Sequence, residues 1–127
     1  MILSTVEMHT GGEPTRIIVD GWPKFEGKTL LDKRREAKQR FDHLRRGLML
    51  EPRGHDGMYG ALLVEPDHLE VDLAVLFMHN EGFSTMCGHA TIALARHLAG
   101  AKIAAYTDGS IEMMNERIGA GLGKVFG

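Results

Sequence analysis

The run "HNEGFSTMCGHATIALARHLAG", His79 to Gly100, changes character at its middle. Its first part is small and polar. From Ala90 onward it is apolar and free of proline. Ile92, Leu94, Ala95 and Leu98 give a broad apolar face, and Gly100 has the character of a C-cap. The spacing predicts a loop that turns into a largely buried helix near Cys87. Cys87 is the only cysteine in the 127-residue chain, and it stands where that helix begins.

A helix N-terminus carries free backbone N–H groups and a partial positive charge. That setting favours a thiolate and lowers a cysteine pKa. The same donors can hold a carboxylate. Gly88, lacking a Cβ, lets a ligand approach the backbone closely, and His89 can add a donor to an anion. Together these residues describe a base beside a carboxylate cradle. The plainer alternative is a small buried hydrophobe, a common fate of a free cysteine.

Upstream, "VDLAVLFMHN" is nearly continuous in apolar residues, as a strand buried on both faces would be. "ALLVEP" precedes it as another strand, after a glycine-rich loop "EPRGHDGMYG". At the N-terminus "ILSTVEMH" alternates as a strand, "TGGEP" breaks it, and "TRIIVDG" is a β-branched second strand. "GWPKFEG" reads as a loop. "TLLDKRREAKQRFDHLRRG" reads as one helix. Thr29 followed by Asp32 resembles a capping box, and Gly47 is its expected stop. Leu30, Ala37, Phe41, Leu44 and Leu48 share one face, while Lys33, Arg34, Lys38, Arg45 and Arg46 are expected on a solvated face opposite. Past Gly100, "KIAAYTDGSIEMM" reads as a hairpin about Asp108-Gly109, and a loose glycine-rich tail follows.

Composition bounds the function. Apolar residues are 43% and charged residues 25%, an ordinary globular balance. The net charge of −2 gives no global field for nucleic acid or an anionic membrane. No apolar run approaches the roughly 18 residues of a membrane span. A lone cysteine without a signal-peptide pattern suggests a cytoplasmic home. The seven histidines include no pair at zinc-motif spacing, so no metal site is expected. "GAGLGK" fails the phosphate-loop pattern, because Ile118 and Val125 stand at required positions.

Three stretches together resemble the proline racemase family. "MHTGGEPTRI" is similar to its N-terminal strand and turn, "LMLEPRGHDGMYGALLV" to its second signature, and "MCGHATIAL" to its catalytic-cysteine motif. The wording around Cys87 is closer to the trans-3-hydroxy-L-proline dehydratase branch than to the racemases. The resemblance covers roughly residues 1–99. It implies an α/β (α+β) architecture: one diaminopimelate-epimerase-like half, with a mixed/antiparallel sheet wrapped around a central helix.

In such enzymes two halves face a shared cleft, and neither pyridoxal nor metal is used, so no cofactor is expected. The resemblance implies that Cys87 is the base, that Gly88 and His89 hold substrate, and that Tyr59 lies against the substrate ring. It assigns nothing to His9, Glu13 or His55, for which turn-stabilising roles are the default. The expected substrate is proline or a hydroxyproline. Proline racemase and 4-hydroxyproline 2-epimerase are the alternatives, as is a remnant that only binds a carboxylate. Nothing here matches the family's second acid/base motif. The chain therefore reads as an N-terminal half over 1–100 with a non-family tail over 101–127. Half a cleft supplies one base, so the isolated chain is expected to turn over neither substrate at a useful rate. A homodimer joining two Cys87 residues is the possible exception.

Overall fold

The computed structural model describes residues 1–66, 73–84, 103–107 and 110–113. Among these residues seven strands form one sheet: β1 (Ser4–Thr10), β2 (Glu13–Asp20), β3 (Tyr59–Val64), β4 (Leu73–His79), β5 (Phe83–Ser84), β6 (Ile103–Thr107) and β7 (Ser110–Met113). The order across it is β1-β2-β3-β4-β6-β7, with β5 also paired to β4. Helices α1 (Leu30–Arg40) and α2 (Asp42–Met49) lie between β2 and β3. The sheet is mixed. β1–β2, β3–β4, β4–β5 and β6–β7 are antiparallel, whereas β2–β3 and β4–β6 are parallel. The mixed sheet agrees with the expected fold class. The expected central helix over Cys87–Leu98 lies outside the described residues.

Local chemistry explains the first hairpin. Thr10 pairs with Glu13, so Gly11 and Gly12 alone make the turn. Their φ values of 58° and 91° are the two positive angles that a type I′ turn requires. The hairpin expected past Gly100 also forms, with Thr107 paired to Ser110. β6 extends the sheet beside β4 through the pairs Leu73–Ile103 and Val75–Ala105.

Along the middle of β2, β3 and β4 both faces of the sheet are buried. On one, Ile18, Leu62, Val64, Ala74, Leu76 and Met78 pack with Leu30, Ala37, Leu48 and Met49 of the two helices. On the other, Thr15, Ile17, Ala61, Val75 and Phe77 are buried as well. That is why β4 reads as a continuous apolar run and not as an alternating one. Each large side chain so buried contributes about 1.5–3 kcal/mol relative to exposure. Gly60 makes room in this core: a Cβ there would lie 2.7 Å from Met49 Cε and 2.8 Å from Met78 Cγ.

The helix expected over 29–47 is two helices. The Thr29 cap forms as expected, its hydroxyl accepting from Asp32 N–H at 3.0 Å. α1 then ends at Phe41, whose backbone leaves helical geometry at φ −122°, ψ 15°. The Phe41 ring meets Trp22 and Phe25 edge-on, at 6.1 and 5.7 Å. Breaking here seats the ring in the loop after β2 and redirects the chain. An unbroken helix of 20 residues would run about 30 Å. Gly47 does not stop the helix, because α2 continues to Met49.

The solvated-face expectation also fails in part. Lys38 and Arg46 are exposed, but Lys33 and Arg45 are only 7% and 5% exposed. Lys33 shares a face of α1 with Leu30 and Ala37, and Arg45 shares a face of α2 with Leu48 and Met49. Lys33 Nζ donates to the Glu65 carbonyl, and Arg34 Nη2 donates to the Phe83 carbonyl at 2.9 Å. Among the described residues, no helix is long and apolar enough to cross a membrane.

Candidate active site

Tyr59 opens β3, and His79, near the end of β4, is its direct cross-strand partner. Their rings lie 5.6 Å apart at 56°. Glu81 N–H donates to His79 Nδ1 at 3.0 Å, so a neutral His79 ring carries its proton on Nε2. His79 N–H in turn donates to the Gly82 carbonyl at 2.9 Å, closing the turn into β5.

Asn80 ties this turn to two other segments. Its Oδ1 accepts from Gly57 N–H at 2.7 Å. Its Nδ2 donates to the carbonyls of Met49 at 2.8 Å and His55 at 2.9 Å. One side chain thus joins the end of α2, the loop before Tyr59 and the β4–β5 turn. Arg45 supports the same turn from below. Nη1 donates to the carbonyls of His79 at 3.0 Å and Asn80 at 2.7 Å. Nε and Nη2 grip the Asp42 carboxylate at 2.6 and 3.1 Å. Arg16 Nη1 takes the Leu48 carbonyl at 2.7 Å, so the open C-terminal end of α2 is also satisfied by side chains.

The Arg45 hydrogen bonds hold the Asp42 carboxyl below its ordinary value of 3.8, against a smaller opposing effect of burial. A carboxyl with a depressed folded pKa stabilises the fold above its unfolded pKa and loses that contribution as pH falls through the folded one. Asp42→Asn is therefore expected to be less stable than the parent chain at neutral pH. The gap should shrink as pH falls below about 4. Urea midpoints at several pH values measure it, and a gap that stays constant down to the acid limit would refute the assignment.

Of the residues expected at the site, Tyr59 is described and sits at the head of β3. Cys87, Gly88 and His89 lie outside the described residues. His55 serves the turn through its carbonyl, and its Nδ1 lies 2.8 Å from the Asp56 carbonyl. His9 and Glu13 fall at the β1–β2 hairpin, opposite Pro14 and Thr10. Sequence reasoning missed Asn80, His79 and Arg45. The pairing of Tyr59 with His79 needs the β3–β4 register. Arg45 carried a faint signal, since it follows Asp42 by three residues, one helical turn.

The proline racemase family model matches residues 5–125. A trans-L-3-hydroxyproline dehydratase from Saccoglossus kowalevskii is 64% identical over 90 residues, covering 71% of this chain and 28% of that protein. The Homo sapiens trans-3-hydroxy-L-proline dehydratase is 59% identical over 95 residues, covering 75% and 27%. The chain thus spans little more than a quarter of the length of these curated relatives. Among solved structures, a hydroxyproline epimerase from Agrobacterium vitis with bound trans-4-hydroxy-L-proline superposes with a TM-score of 0.70 at 21% identity. That match covers 86% of this chain and 35% of the epimerase, a likeness of fold.

Proposed function

The chain belongs to the proline racemase family, and on that premise we propose that it is the thiolate-bearing part of a trans-3-hydroxy-L-proline dehydratase. The observation that carries this reading is the 64% identity over 90 residues to a relative of that name. Likeness to the epimerase is far lower, at 21%, so racemase and epimerase readings are less well supported.

In this reading Cys87 is the base. Ser84 closes β5 three residues earlier, which tethers the Cys87 Cα within about 11 Å of it. The β4–β5 turn that Asn80 and Arg45 secure therefore sets where the thiol begins its reach. The thiolate takes the α-proton of the amino acid, and the 3-hydroxyl leaves, so the elements of water are lost. Gly88 and His89 hold the carboxylate, and Tyr59 lies against the ring. No cofactor takes part. A cytoplasmic, reducing setting keeps the single thiol free. The division near residue 100 belongs to the same proposal. The curated relatives above align over 90 and 95 residues, whereas the family model runs on to 125.

The test is the pH dependence of Cys87 alkylation by iodoacetamide, with and without trans-3-hydroxy-L-proline. An apparent pKa below about 8.5, the unperturbed value, is expected. The hydroxyproline should slow the reaction, and proline should slow it less. An apparent pKa at or above that value, with no protection, would overturn the base role.

A further inference from the structure

A second site lies at the far end of β3, five residues from Tyr59 and so about 17 Å along the strand. There the end of β2, the loop after it, Lys33 of α1 and the end of β3 enclose a cavity of about 570 Å³. One feature of its lining stands out against the rest of the structure. Lys33 is 7% exposed, yet no carboxylate lies within ion-pair distance of it among the described residues. Its ammonium meets one neutral acceptor, the Glu65 carbonyl, and has three protons to give. Trp22 and Phe25 line the same cavity.

A buried cation without a counter-ion loses hydration that one neutral acceptor does not replace. A structure that keeps such a cation in a cavity wall is complementary to an acceptor carrying negative charge. The remaining walls define the body of that ligand. The rings of Trp22 and Phe25 and the side chains of Leu63 and Pro66 are apolar. Asp20 and Glu65 also line the cavity, but both are exposed, so water screens them.

We propose that this cavity is a binding site for a small carboxylate with a flat apolar body. The carboxylate pairs with Lys33 Nζ, and the body lies against Trp22 and Phe25. The site is separate from the one around Tyr59 and does not depend on the reaction proposed for it.

The test uses the full chain with benzoate as probe. Trp22 is the only tryptophan, so its fluorescence reports this cavity alone. Benzoate is expected to change the emission saturably and to raise the thermal midpoint, as any ligand of the folded state does. Benzyl alcohol, which keeps the ring and lacks the charge, should do neither. Lys33→Met should weaken benzoate binding by at least ~10-fold, the loss of a charge-assisted hydrogen bond. The same variant distinguishes a binding lysine from a structural one. Replacing an unpaired buried cation by an apolar side chain leaves the ligand-free midpoint equal or higher. A strut for the Glu65 carbonyl would instead lower it. The proposal is overturned by no saturable response to benzoate, by Lys33→Met binding benzoate as well as the parent, or by a lowered ligand-free midpoint in that variant. Inorganic phosphate binding as tightly as benzoate would overturn it too, because the apolar walls would then contribute nothing.

Discussion

Arg45→Ala is expected to destabilise the fold by about 2–4 kcal/mol, the cost of orphaning two main-chain carbonyls and leaving a cavity. Arg45 is 5% exposed and makes four hydrogen bonds, two to the Asp42 carboxylate and two to main-chain carbonyls. Asp42 can turn to solvent, since its side chain is 39% exposed. The carbonyls of His79 and Asn80 lose their donor, and the cavity left by the guanidinium adds to the penalty. Arg45→Lys keeps the charge but not the fork, so it should recover only part of the loss. Urea midpoints followed by circular dichroism measure both. A change below about 1 kcal/mol in the alanine variant would place Arg45 among ordinary surface cations.

Gly54→Ala is the second large effect, and Gly47→Ala is its control with the opposite sign. Gly54 is buried in the loop after α2, and its N–H donates to the Leu50 carbonyl at 2.8 Å. A Cβ there would run into the Met49 main chain, with its Cα at 2.7 Å and its carbonyl carbon and oxygen nearer still. Main chain at a helix end cannot swing aside as a side chain can. A loss of about 3 kcal/mol is expected, the upper part of the range for overpacking. Gly47 lies inside α2, exposed, with nothing within 4 Å of a built Cβ. Alanine there should stabilise by about 0.4–1 kcal/mol, chiefly by restricting the unfolded chain. If both substitutions shift the midpoint in the same direction, the packing described around Met49 is wrong.

How much of this was legible in the sequence depends on range. The break at Gly11-Gly12, the β-branched strand β2, the pairing of the two strands that flank 108–109 and the Thr29 cap are written in adjacent residues, and each formed where expected. The break at Phe41 was not legible. The apolar spacing of one long helix also suits two short ones, and the choice rests on Trp22 and Phe25, well upstream. The burial of Lys33 and Arg45 was missed for a related reason. Each stands three or four residues from buried apolar neighbours, and the groups that satisfy it are distant main-chain carbonyls, that of Glu65 for Lys33 and those of His79 and Asn80 for Arg45. The candidate site divides along this line too. Cys87, Gly88, His89 and Tyr59 come from motif resemblance. Asn80 acts on main-chain groups 23–31 residues away, and no local pattern announces that.

The parallel seam between β2 and β3 has a kinetic consequence. Within the β1–β2 hairpin the chain closes over two residues, but Arg16 meets Gly60 only after 44 residues have been brought round. Chain-closure entropy must be met before such a distant contact is rewarded. The local hairpins can therefore form first and independently, and the molecule commits to its native topology when α1 and α2 carry β3 back beside β2. A side chain that joins this seam after the barrier has been crossed governs how fast the fold is lost more than how fast it is gained. Arg16, which bridges β2 to the end of α2, stands at that closing point.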